Sequence, residues 1–257
     1  MKKILFLLSI IYLNIAFCEL KPFENVLIRK RPMRIKEKGN YLEHFLRKTY
    51  EHHNIKFIQQ RLQNATELFT DGDILKYIME SKHNDGFIIH IGVYQARAIN
   101  FVATLNPTKT IYGFDSFKGL SENWRPHPET WISGTRFANN DFPLLIQNNV
   151  VIYNDWTNSI IEEFKNEKLK DAPISFLYLN CYTYQMTKDM LNNFYKNFRD
   201  GTIIGFSAFY NYAWHADIFR THQNRAFFEF IVEKNLKYEF IAYNYYDMQL
   251  AVKIIKE

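Results

Sequence analysis

The sequence predicts an α/β fold: a three-layer sandwich around a Rossmann-like, mostly parallel sheet of seven strands, closed by a C-terminal β-hairpin and preceded by a helical extension. Three observations carry this expectation. From Gly86 onward, short runs rich in β-branched and aromatic residues alternate with amphipathic stretches. The runs are apolar throughout, as strands covered on both faces are. The last two runs are separated by four residues, a connection that suits antiparallel neighbours.

Taken in order, FIIHIG (87–92) reads as the first strand and RAINFVATL (97–105) as the helix behind it. TIYGFD (110–115) is the second strand and NVVIYN (149–154) the third, with SIIEEFKNE (159–167) helical after it. ISFLYLN (174–180) leads to a helix over MTKDMLNNFYKNF (186–198), and GTIIGFS (201–207) to a helix over NRAFFEFIVEKN (224–235). YEFIAY (238–243) and MQLAVKII (248–255) form the hairpin, one of them antiparallel to the other strands. Repeated β–α units imply a parallel sheet with helices on both faces. This places an α/β domain at 82–257 and a basic helical extension at 19–81. Within the extension, 40–63 and 66–81 read as helices; Leu42, Phe45, Leu46 and Tyr50 share one face.

Composition sets the remaining bounds. At 257 residues, 47% hydrophobic and 17% aromatic, the chain can bury one sizeable core. Its 17 Tyr and 23 Phe against nine Gly argue against disorder. The net charge of +5 is unevenly placed: residues 20–61 hold eleven Lys/Arg and four Asp/Glu, whereas 62–257 sum to −3. A basic arm of this kind suits an anionic membrane surface or an acidic partner, and equally a solvated helix surface. No motif specific for nucleic acid accompanies it.

Residues 1–18 read as a signal peptide. Lys2 and Lys3 precede the apolar stretch Ile4–Phe17, and Ala16 and Cys18 supply small residues for cleavage. The stretch is shorter than the ~20 residues that span a bilayer. Export is the expectation, in secreted or periplasmic form, with a lipidated Cys18 or an uncleaved anchor as alternatives. After cleavage Cys181 stands alone, so no internal disulfide forms. Asn64-Ala65-Thr66 is a glycosylation acceptor in a eukaryotic source.

The stretch YGFDSFKGLSENWRP (112–126) carries the chemistry. A carboxylate at the carboxyl end of a buried strand, here Asp115, can accept both hydroxyls of a ribose. Asp115 and Ser116 also suit a helix N-cap or a turn. Together with HIGVYQARAINFVA (90–103), GTIIGFSAFYNYAW (201–214) and RAFFEF (225–230), this stretch resembles the macrocin O-methyltransferase-like family of class I S-adenosylmethionine-dependent methyltransferases, over about residues 85–255. The resemblance implies S-adenosyl-L-methionine as cofactor and a sugar or other small molecule as methyl acceptor. It places the cofactor's methionine part at the turn of His90, Gly92 and Tyr94, its ribose at Asp115 and Ser116, and its adenine at Asp155 and Trp156.

The sequence departs from the family at three places. The acidic residue expected at the first strand end is His90, and the second glycine of the turn is Ala96. The family's divalent cation is held by aspartates after the fourth and fifth strands; here the corresponding runs are Asn180-Cys181-Tyr182 and Ser207-Ala208. A hard cation wants charged oxygen ligands, so the metal site is expected to be lost, and Cys181 to be a buried thiol. Trp214, His215, Asp217 and His222 cluster after the fifth strand, and His215 is the candidate base for metal-free transfer. The sequence therefore points to a degenerate relative acting as an exported binding or interaction module. The alternative is an active metal-independent O-methyltransferase.

Overall fold

The computed structural model describes residues 60–81, 84–120, 145–155, 158–209, 222–244 and 248–256. The expected signal peptide and residues 19–59 of the basic extension lie outside them. Among the described residues no helix is long and apolar enough to cross a membrane.

The elements run β1 (Thr66–Leu68), α1 (Asp71–Ser81), β2 (Phe87–Ile91), α2 (Arg97–Thr104), β3 (Ile111–Phe114), β4 (Val150–Tyr153), α3 (Asn158–Phe164), β5 (Ile174–Leu179), α4 (Tyr184–Phe194), β6 (Phe198–Phe206), α5 (His222–Glu233), β7 (Lys237–Asn244) and β8 (Gln249–Ile255). A π-helical turn, Lys165–Leu169, prolongs α3. Among the described residues the sheet has eight strands in the order β1-β7-β8-β6-β5-β2-β3-β4, not the seven expected. The additional strand comes from the stretch expected to be a single helix, 66–81: Thr66–Leu68 pairs in parallel with Ala242–Asn244 of β7. The helix begins only at Asp71, where a capping box stops it extending backward. Thr70 Oγ1 accepts from the Asp73 N–H (3.0 Å) while Asp73 Oδ2 accepts from the Thr70 N–H (3.1 Å).

β8 is antiparallel to both β6 and β7, and every other pairing is parallel. The two faces of the sheet carry separate cores, which completes the three layers. On one face α3, α4 and α5 contribute Ile161, Phe164, Phe194, Phe227 and Phe230. On the other, α1 and α2 contribute Ile74, Ile78, Ile99 and Val102. Aromatic edges lock the first face: Phe114 stacks on Tyr153 (4.8 Å) and meets the edge of Phe164 (5.2 Å). Helices α4 and α5 are joined at their surface through Glu229, which accepts from Tyr184 (2.5 Å), Lys188 (2.8 Å) and Arg225 (2.7 Å). These donors, Lys188 foremost, hold the Glu229 carboxyl down at about 2.

From β2 the chain moves outward through β3 to β4, then returns to place β5 on the opposite side of β2. The sheet order thus reverses between β2 and β5. In open α/β sheets the crevice at the carboxyl ends of the strands flanking such a reversal is where ligands sit.

Candidate functional site at the switch point between β2 and β5

Asp115 directly follows β3 and is 6% exposed. Its Oδ2 accepts from the Tyr94 N–H and its Oδ1 from the Phe117 N–H, each at 2.7 Å. Burial raises its pKa, opposed by hydrogen bonds from the backbone of Tyr94, Phe117 and Val93. An ionised carboxylate has about four acceptor sites, more than these three amides take. The aspartate therefore ties the turn after β2 to the turn after β3 and retains acceptor capacity toward the crevice.

The turn after β2 is held in an uncommon backbone shape. Gly92, Tyr94 and Ala96 have φ of 87°, 50° and 58°, and the left-handed region costs an ordinary residue roughly 1–2 kcal/mol. The structure keeps Tyr94 and Ala96 there by external ties: Tyr94 through Asp115, and Ala96 by complete burial at the start of α2. At Gly92 a side chain is excluded twice over. Besides its φ, a Cβ would stand 2.4 Å from the Asn180 carbonyl oxygen. We expect Gly92→Ala to lower stability by roughly 2 kcal/mol or more, from the backbone penalty and the displacement of β5 from β2. Denaturant unfolding that moves by less than about 0.5 kcal/mol would contradict this contact.

His90 lies on the sheet face that carries Ile88 and Tyr178, its ring 4.8 Å from the Tyr178 ring. It is 1% exposed, and neither ring nitrogen has a hydrogen-bond partner among the described residues. Burial alone depresses its pKa to about 3, so it is neutral at physiological pH. A buried polar chain, not evident from the sequence, runs beside it: Asn244 donates to Gln249 (3.4 Å) and Gln249 to the Tyr178 hydroxyl (3.1 Å).

The residues standing where the family's metal-binding acids are expected hold backbone. Asn180 Nδ2 donates to the Gly92 carbonyl (2.9 Å) and Ser207 Oγ to the Leu179 carbonyl (3.2 Å). The Ala208 N–H is taken by Gln223, which also donates to Leu179 (3.0 and 2.8 Å). Tyr182 is half-buried with φ 59°, and Cys181 is buried with its Sγ 3.6 Å from Thr187 Oγ1. The described residues contain no group of three or more His, Cys, Asp or Glu placed to hold a metal ion.

The structure thus brings Gly92, Tyr94, Asp115 and Ser116 to the neighbouring turns at the carboxyl ends of β2 and β3, where Ser116 Oγ accepts from the Lys118 N–H (3.2 Å). Asp155 follows β4 by two residues, one strand further out. His222 opens α5 with φ 60°. Trp124, Arg125, Pro126, Trp156, Trp214, His215 and Asp217 lie outside the described residues. The Asn180–Gly92 bond and the Phe117 N–H on Asp115 join residues that no sequence motif links. The amide in place of an acid at 180 is the signal that could have indicated the first.

No protein-family model matches the chain, and no curated protein matches it in sequence. Solved structures do match. The structure of the O-methyltransferase NovP is similar with a TM-score of 0.50 and 14% identity, covering 72% of this chain and 79% of that one. CalS11, a calicheamicin methyltransferase, is similar with a TM-score of 0.52 and 16% identity over 83% of each chain. At these identities the likeness is one of fold. The chain has a Rossmann-like methyltransferase fold, with O-methyltransferases among its structural neighbours.

Proposed function

We propose that this chain is an exported, degenerate relative of the macrocin O-methyltransferase-like proteins that has become a binding module. In this reading it keeps a nucleoside-binding carboxylate but does not carry out metal-assisted methyl transfer. One observation carries the reading: Asn180 and Ser207, at the strand ends where the resemblance puts metal-binding acids, donate to backbone carbonyls. Neutral amide and hydroxyl groups tied to these carbonyls bring no negative charge to a divalent cation, which favours charged oxygen ligands.

The residues fit S-adenosyl-L-methionine in part. Asp115, at the carboxyl edge and still slightly exposed, suits two ribose hydroxyls. When bound, the cofactor's sulfonium would supply a transferable methyl group. His90 does not suit its ammonium, being neutral and enclosed beside Tyr178. A nucleoside gripped chiefly at its ribose is the ligand class this site favours. The positive charge of residues 20–61 suits an anionic membrane or an acidic partner.

Calorimetry on the full chain with S-adenosylmethionine and S-adenosylhomocysteine tests the proposal. The expected result is binding of both, weakened at least about tenfold by Asp115→Ala, the loss of one to two charged hydrogen bonds, with no methyl transfer with or without magnesium. Methyl transfer to a sugar hydroxyl that resists chelation and vanishes in His215→Ala would replace this reading with that of a metal-free enzyme. Absence of binding at millimolar ligand would remove the nucleoside from it.

A further inference from the structure

The carboxyl end of β2 is fastened from both sides. The Gly92 N–H donates to the Phe114 carbonyl of β3 (2.9 Å), and the Asn180 N–H donates to the Ile91 carbonyl (2.8 Å). The Asn180 side chain adds a tie across the switch point, Nδ2 to the Gly92 carbonyl at 2.9 Å. Two residues on, the Tyr94 N–H reaches Asp115. The peptide between these two ties carries φ values of 87° and 50° at its ends, so its direction depends on what holds it.

We propose that Asn180 is the positioning residue of this turn: its amide, as a donor, holds the Gly92 carbonyl and thereby aims the Tyr94 N–H at Asp115, so that a carboxylate at position 180 would open the turn rather than rebuild a cation site. An ionised aspartate has no hydrogen to donate. Placed against the Gly92 carbonyl it would set acceptor against acceptor. There is no slack to relieve this, because the Gly92 backbone already packs on the Asn180 carbonyl so closely that a Cβ would lie 2.4 Å from it. Asp115 stands on the other side of the same turn, and a second carboxylate there would meet like charge. The exchange of acid for amide is thus built into the turn, and a single reverse substitution does not undo it. This inference bears on the proposed nucleoside site, but its test requires no ligand.

Amide hydrogen exchange at Tyr94 and Phe117, measured on the full chain as wild type, Asn180→Asp and Asn180→Ala, provides that test. Each variant is compared with wild type at the same pH. At neutral pH both variants are expected to lose about tenfold protection at Tyr94, the effect of one hydrogen bond, with a smaller change at Phe117. In Asn180→Asp, protection returns as the pH falls through the carboxyl's titration, because the protonated acid donates again. Asn180→Ala shows no such return. If either variant is too unstable for exchange, melting temperature against pH reads the same donor: Asn180→Asp gains on Asn180→Ala with acidification. Wild-type protection of Tyr94 in Asn180→Asp at neutral pH would overturn the proposal. So would parallel pH behaviour of the two variants, or magnesium binding by Asn180→Asp with Tyr94 still protected. A failed nucleoside titration changes none of these outcomes.

Discussion

Replacing Asp115 by asparagine is expected to cost about 2–3 kcal/mol of folding stability, although the side chain keeps its shape and sheds a buried charge. The carboxylate offers an acceptor to both the Tyr94 and the Phe117 N–H. An asparagine can satisfy only one of them, and its NH₂ then faces the other donor. A charged hydrogen bond contributes roughly 1.5–3 kcal/mol, and leaving a buried N–H unpaired costs about as much. Removal of the burial penalty that raises the Asp115 pKa offsets part of this loss. The left-handed Tyr94 and Phe117 (φ 50° and 55°) would lose the ties that hold them, so exchange should quicken at both amides before global unfolding. Asp115→Ala, which removes both acceptors, should cost more than Asp115→Asn. Urea unfolding with an unchanged m-value reads the difference. A midpoint for Asp115→Asn equal to wild type would mean that the two turns do not depend on the carboxylate.

Substituting His90 by leucine is expected to stabilise the protein, and increasingly so toward acid. In the unfolded chain His90 titrates near its ordinary value of about 6.5, whereas in the fold its pKa falls to about 3. Below the first value the unfolded state takes up a proton that the folded state refuses, so stability declines as pH falls across that window. Each pH unit is worth about 1.4 kcal/mol, giving roughly 3 kcal/mol lost by pH 4. Leucine has no titration, and its acid limb should be flatter by that amount. At neutral pH the gain is smaller. Two unpartnered ring nitrogens no longer sit in the core, a relief of about 1–3 kcal/mol, against loss of the ring contact with Tyr178, roughly 0.5–1.5 kcal/mol. Unfolding of both proteins from pH 7 to pH 4 decides the matter. Parallel curves would show that His90 gains solvent or a partner before it titrates.

Much of the architecture was legible in the sequence because strands buried on both faces must be apolar, and strands of this kind between amphipathic runs admit few arrangements. The strands from β2 to β8 fall where the apolar runs place them, to within a few residues. β1 was not legible. Thr66–Leu68 is a three-residue strand with two exposed residues, and its place at the sheet edge is set by pairing with β7, far along the chain. Thr70 and Asp73 did mark the start of α1, and a capping-box reading of Thr-Asp-Gly-Asp would have separated strand from helix.

The candidate site divides the same way. Residue types and their order alone located Asp115 at a strand end and non-acidic residues at 180, 182, 207 and 208, because both depend only on which residue follows which apolar run. What those residues do was decided by the tertiary structure. The sheet order sets β2 beside β5, which brings the Asn180 amide onto the Gly92 carbonyl 88 positions away in the chain. Strand alternation sets His90 beside Tyr178, in an enclosed and unpaired environment. Hydrogen bonds and desolvation act over a few ångströms between residues distant in the chain. A linear sequence records the groups but not the distances between them.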